Sequence, residues 1–76
     1  MADYVLDITR DVCPLTFVKT KLLLERMTSG QTAEIRLKGT EPLENVPRSV
    51  REHGHEVLSL APNADGDTYT LSVRKR

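Results

Sequence analysis

The sequence predicts an α/β (α+β) fold, a two-layer sandwich with two helices on one face of a four-stranded mixed sheet. Four short segments have the alternation or composition of strands, and two segments have helical spacing, in the order βαβαββ. A run of turn-forming residues separates the last two strands, which is typical of an antiparallel hairpin. The length of 76 residues predicts one domain over residues 1–76.

The first two strands are predicted to be parallel neighbours. The first runs from Tyr4 to Ile8, where apolar side chains recur at every second position. The second runs from Thr32 to Lys38 and alternates more plainly than any other segment. Because a helix lies between them, the connection is expected to be a right-handed crossover.

The first helix is predicted to start at Pro14 and to end at about Met27 or Thr28, before Gly30. Its apolar residues fall on two stripes, one with Phe17, Leu24 and Met27 around Thr20, the other with Leu15, Val18 and Leu22. One stripe must cover the sheet. The second stripe either packs on the second helix or stays partly exposed as a docking surface.

The second helix is predicted to be the weaker one. Proline inside a helix removes a hydrogen bond, so Pro42–Val46 is expected to be a loose turn and the regular helix to begin near Pro47. It should end at Gly54. The two hairpin strands are then predicted over Glu56–Ala61 and Tyr69–Arg74.

Composition excludes several classes of protein. Eleven basic residues balance eleven acidic ones, so no net field attracts nucleic acid or an anionic membrane. The start of the chain lacks the pattern of a secretory signal, and there is no apolar run near 18 residues. A single cysteine excludes an internal disulfide and a cysteine-cluster metal site. We therefore expect a soluble cytoplasmic protein that binds neither nucleic acid nor membranes.

Cys13 is the candidate functional residue. Pro14 suits the first helical position, which makes Cys13 the N-cap, where the helix dipole and free N–H groups stabilise a thiolate. The N–H groups of Leu15 and Thr16 are the expected donors. The competing interpretation is a lone cysteine that serves as a small buried hydrophobe.

The residues around Cys13 are candidates for partner contacts. Arg10 and Asp11 precede it with charges of opposite sign, whose effects on the thiol pKa partly cancel. Leu15 and Val18 follow it on the second apolar stripe of the first helix. A lone thiolate with such a surface can accept sulfane sulfur, hold it as a persulfide and pass it on without a cofactor.

His53 and His55 are the only histidines and invite a metal hypothesis. They lack the ligand count of a zinc site, and a cation at a helix end is favourable to the dipole without any ligand. We therefore predict no metal site.

The chain resembles the TusA/SirA-like family of small sulfur carriers over nearly its whole length. The matching features are Leu6-Asp7, Cys13-Pro14, Gly30, Glu41-Pro42, Val46-Pro47 and Gly54-His55. The resemblance implies the same βαβαββ sandwich and sulfur transfer through a persulfide on Cys13. It also implies a cysteine desulfurase-like donor and an acceptor sulfurtransferase.

One position departs from the family motif Cys-Pro-x-Pro, because Thr16 stands where the second proline usually does. Thr16 adds back an N–H group beside Cys13 and changes the helix entrance that partners would contact. The family serves tRNA thiolation, cofactor assembly and sulfur oxidation, and the sequence favours none of these. We therefore expect this protein to be a monomeric sulfur carrier. The alternative is a non-catalytic interaction or regulatory module of the same fold.

Overall fold

The structure, a computed structural model, describes residues 3–12 and 15–76. Its elements are β1 (Tyr4–Asp7), α1 (Leu15–Arg26), β2 (Thr32–Lys38), α2 (Thr40–Glu52), β3 (Glu56–Pro62) and β4 (Thr68–Arg74). The predicted βαβαββ order and the four-stranded mixed sheet are both confirmed. No helix in these residues is long and apolar enough to cross a membrane.

The strands lie in the order β1-β2-β4-β3. β1 is parallel to β2, with Leu6 opposite Ile35, as the helix between them predicted. β4 is antiparallel to both of its neighbours and places Leu71 opposite Ile35. The hairpin therefore inserts its second strand beside β2, so that β2 and β4 form the centre of the sheet.

The core lies between the helices and one face of the sheet. Alternation along β2 turns Ala33, Ile35 and Leu37 to this face, where all three are fully buried. The other members of the core cluster are Ile8, Leu24, Met27, Val46, Val50, Leu71 and Val73. β2, β4 and both helices contribute buried residues to this cluster. Tyr4 and Leu6 on β1 and Val57 on β3 are partly buried and pack against it, so a single core holds both layers together.

α2 is longer than predicted. It starts at Thr40 and continues through Pro47, so the expected loose turn over Pro42–Val46 is wrong. Pro42 lies in the first turn, where an N–H group has no intrahelical partner. Pro47 removes only the hydrogen bond to the Leu43 carbonyl, and its ring is buried in the core together with neighbouring valines. The burial of Val46, Pro47 and Val50 offsets the free-energy cost of this lost backbone hydrogen bond.

Three strand ends differ from the predictions by one residue, and β1 ends at Asp7 instead of Ile8. β3 extends to Pro62 and β4 begins at Thr68. Between them the Asp65 carboxylate accepts hydrogen bonds from the N–H and hydroxyl groups of Thr68. These bonds hold the pKa of Asp65 below its usual value, with the backbone N–H as the largest cause. The turn is therefore closed by a carboxylate that stays ionised.

Candidate functional site

The candidate site lies in the connection between β1 and α1. Cys13 and Pro14 lie outside the described residues, so the predicted N-cap position of Cys13 and the predicted start of α1 at Pro14 stay predictions. The structure describes the residues on both sides of this dipeptide. Those flanking residues define the surroundings in which a Cys13 thiol would act.

The segment that leads to Cys13 is tightly held at the end of β1. The Ile8 N–H donates to the Arg36 carbonyl oxygen at 3.1 Å, which extends the pairing with β2 by one bond. The Asp7 carboxylate accepts hydrogen bonds from the hydroxyl and N–H groups of Thr9, and the pKa of Asp7 is lowered as a result. The Asp11 N–H donates to the Ile8 carbonyl oxygen. The chain therefore turns immediately beyond the carboxyl end of β1.

The first residues of α1 are held from both sides. The Leu15 N–H donates to the Val12 carbonyl oxygen at 2.7 Å. The sequence predicts that this N–H donates to the thiolate of Cys13, whereas in the structure it donates to a backbone carbonyl oxygen. Thr16 is buried, and its carbonyl oxygen accepts a hydrogen bond from the Thr20 hydroxyl at 2.8 Å. The side chain of Thr16 therefore belongs to the core.

Asp11 forms an ion pair that the sequence did not predict. The Lys19 Nζ atom lies 2.9 Å from both carboxylate oxygens of Asp11. The sequence predicts only that the effects of Asp11 and Arg10 on the thiol pKa partly cancel, and Arg10 is exposed. The two partners are eight residues apart, on a loop and a helix, so no local spacing rule connects them. The only indication of this pair in the sequence is Lys19 itself, a lysine one helical turn into α1 that has no acidic residue three or four positions away.

The second apolar stripe of α1 is exposed. Leu15, Val18 and Leu22 expose between 46 and 53% of their surface, and Val12 exposes 70%. The buried side of α1 carries Thr16, Thr20 and Leu24, and α2 lies beside α1 near Phe17 and Thr20. Of the two alternatives for this stripe, packing against α2 is therefore excluded and exposure is confirmed. We call Val12, Leu15, Val18 and Leu22 the apolar stripe.

A cleft of about 250 Å³ lies beside the site. Asp11 and Val12 form one wall, and the β2–α2 connection from Lys38 to Pro42 forms the other. Gly39 in this wall has φ 96° and ψ 158°, a conformation that residues with a Cβ atom rarely adopt. The tight connection brings the first turn of α2 close to the segment that precedes Cys13.

The two histidines lie at the other end of α2. The Nδ1 atom of His53 is 2.8 Å from the Ser49 carbonyl oxygen, and the Nδ1 atom of His55 accepts the Arg76 N–H. Burial lowers the pKa of His55, and the positive charges of Lys75 and His53 lower it further. Residues 3–12 and 15–76 contain no group of three or more His, Cys, Asp or Glu side chains arranged to hold a metal ion.

Comparison with known proteins places the chain in a family. It is 49% identical to a "Putative sulfur carrier protein" of Archaeoglobus fulgidus over 99% of this chain and 84% of the relative. A protein of the same description from Thermotoga maritima is 36% identical over 72% of this chain and 70% of the relative.

The fold is also similar to a solved structure. The crystal structure of a SirA-like protein from Desulfitobacterium hafniense superimposes with a TM-score of 0.79 at 15% identity, covering 93% of this chain and 95% of that one. The sequence model of the family described as sulfurtransferase TusA matches residues 4–75. Because this match spans almost the entire chain, the protein belongs to the sulfurtransferase TusA family.

Proposed function

We propose that this protein is a sulfur carrier that holds sulfane sulfur as a persulfide on Cys13. The observation that carries the proposal is the apolar stripe, which lies exposed on both sides of the only cysteine in a TusA-family chain. A carrier needs a nucleophilic thiol and a surface that two different partners can contact in turn. The sulfur-carrier description of the 49% identical relative supports the same role.

The transfer chemistry needs no cofactor. The Cys13 thiolate attacks the terminal sulfur of a persulfide on a donor protein, such as a cysteine desulfurase. A new sulfur–sulfur bond forms on Cys13, the sulfur–sulfur bond of the donor breaks, and the donor cysteine leaves as a thiolate. An acceptor thiolate, for example on a sulfurtransferase in tRNA thiolation, then attacks the terminal sulfur and releases Cys13 as a thiolate.

The local structure favours a thiolate at this position. α1 is a helix of at least three turns whose N-terminal end follows Cys13, so the partial positive charge of its dipole is directed toward that end. The Leu15 N–H already has a partner, which leaves the Thr16 N–H and the dipole as the expected support. The reaction also requires a reduced thiol, which agrees with a cytoplasmic location.

The apolar stripe is the proposed docking surface. Leu15 and Val18 follow Cys13 by two and five residues along the chain, and exposed apolar surface of this kind marks interaction sites. Arg10 is exposed two residues before Val12 in the chain and can contact a partner, whereas the carboxylate of Asp11 is bound by Lys19. Donor and acceptor would use the same surface at different times.

Intact-mass spectrometry tests the carrier proposal. The protein is incubated with a cysteine desulfurase and cysteine, and a sample alkylated beforehand with iodoacetamide is the matched control, since the chain has one cysteine. We expect one added sulfur on the untreated protein, removable by reductant, and none on the alkylated sample. A thiol that reacts with iodoacetamide but gains no sulfur from several desulfurases would favour the non-catalytic module instead.

A charged residue in the apolar stripe should impair transfer. We expect Val18→Glu to slow sulfur loading at least about tenfold, because a buried carboxylate at the contact would carry a desolvation cost. Leu58→Glu is the matched control, since Leu58 is 44% exposed and lies on β3. Loading rates are compared under single-turnover conditions. Equal rates for the two variants would contradict docking at the stripe.

A further inference from the structure

The two residues of the Asp11–Lys19 ion pair lie on either side of Cys13 along the sequence. Asp11 lies two residues before Cys13, and Lys19 lies on the first half of α1 after it. Both carboxylate oxygens accept from the same Nζ atom at 2.9 Å. The Asp11 side chain is only 16% exposed, while that of Lys19 is 46% exposed. The pair therefore ties the loop before Cys13 to the helix after it.

We infer that Lys19 is a positioning residue that keeps the Cys13 thiol reactive by holding the Asp11 carboxylate and cancelling its charge. This inference rests on the proposed function, in which Cys13 acts as a nucleophile. Lys19 itself would touch neither the donor nor the sulfur that is transferred.

The geometry separates this pair from an ordinary surface ion pair. Exposed pairs of flexible side chains contribute little, because water screens them and each side chain loses entropy. The Asp11 side chain is mostly covered, so water screens its charge less than it screens the charges of an exposed pair. Loss of Lys19 would therefore leave an unpaired and mostly covered negative charge two residues before Cys13 in the chain.

The other charged groups around Asp11 form no ion pair with it in the described residues. Arg10 is exposed on the same segment, and Lys38 and Glu41 lie on the opposite wall of the cleft with charges of opposite sign. Within the described part of the chain, Lys19 is the cation that forms an ion pair with Asp11. A nearby carboxylate without a partner disfavours a thiolate and raises its pKa.

The test measures the thiol pKa from the rate of alkylation by iodoacetamide against pH, since the thiolate is the reactive form. We expect Lys19→Met to raise this pKa by about half to one unit and to slow alkylation at pH 7 about threefold to tenfold. Lys21→Met is the matched control, because it removes an equal charge from another side of α1. It should change the rate less than about twofold.

Two further variants distinguish the charge effect from a loss of structure. Lys19→Arg keeps the cation and should retain the wild-type rate, and Asp11→Asn with Lys19→Met removes both charges and should return the rate to within about twofold of wild type. Thermal unfolding of each variant checks that it is folded. If Lys19→Met fails to fold, Lys19→Gln takes its place in the comparison.

Equal thiol pKa values for Lys19→Met and Lys21→Met would overturn the inference, and so would a double variant as slow as Lys19→Met. These outcomes are separate from those of the carrier proposal. A wild-type protein that never accepts sulfur refutes the carrier role, yet its alkylation rates still decide whether Lys19 controls the thiol.

Discussion

Cys13→Ser is expected to abolish sulfur loading while leaving the fold intact. The chain has no other cysteine, and a serine hydroxyl is a weak nucleophile at neutral pH that cannot form a persulfide. Intact-mass spectrometry after incubation with a desulfurase and cysteine should show no added sulfur. The melting temperature should stay within about 4 °C of the wild-type value, since the substitution only exchanges one side-chain sulfur atom for oxygen.

A relocated cysteine provides the control for position. Ser29 is exposed in the connection between α1 and β2, so Cys13→Ser combined with Ser29→Cys restores one accessible thiol away from the helix entrance. We expect this double variant to react with iodoacetamide only as an ordinary thiol and to accept sulfur at least about a hundredfold more slowly than wild type. Loading at the wild-type rate would mean that any exposed cysteine suffices, which contradicts a dedicated site.

Leu71→Ala should cause the largest loss of stability among simple truncations. Leu71 is 0% exposed and lies on β4 between Ile35 and Leu60 on the neighbouring strands. Truncating a fully buried leucine typically costs about 2–5 kcal/mol. A domain of this size is stable by only about 4–11 kcal/mol, so the variant should be partly unfolded near physiological temperature.

Chemical denaturation followed by circular dichroism measures this effect. Leu22→Ala is the control, because Leu22 is 53% exposed on the apolar stripe and its truncation should change the free energy of unfolding by less than about 0.5 kcal/mol. Similar losses for the two variants would mean that the apolar stripe is part of the core after all. The same pair of variants separates the two roles of leucine in this chain, since Leu22→Ala should affect transfer and Leu71→Ala should affect folding.

The apolar residues of α1 therefore have two separate uses. Leu24 and Met27 pack into the core, whereas Leu15, Val18 and Leu22 stay on the surface. A helix in a small domain has little reason to keep three large apolar side chains exposed on one side, since they add no packing and favour association. This arrangement is the structural reason for testing the apolar stripe before any other surface.

Periodicity was sufficient to predict the fold. The alternation of β2 matched the observed strand at both ends, because its apolar side chains all face one buried surface. The parallel pairing of β1 and β2 followed from the helix between them, and the hairpin from its turn residues. These features depend on neighbouring residues, which a sequence displays directly.

The start of α2 was predicted wrongly, because contacts between distant residues and not a local pattern decide where this helix begins. Pro47 is a strong local signal against a helix, and only the burial of Val46, Pro47 and Val50 against the sheet explains why the helix continues. A local propensity was overridden by contacts with residues far away in the chain. The predicted role of Cys13 is different again, since it rests on its position in the sequence and on the family.

The sequence by itself determined the order of the elements, the faces that β1, β2 and β4 bury, the family and the cysteine to test. Tertiary structure alone decided that β4 lies between β2 and β3, that the apolar stripe is left uncovered, and that Lys19 forms an ion pair with Asp11. The physical reason is the separation along the chain over which each interaction acts. Hydrophobic periodicity and turn chemistry act between neighbours in the chain, whereas strand order, surface exposure and ion pairing depend on which distant residues folding brings into contact.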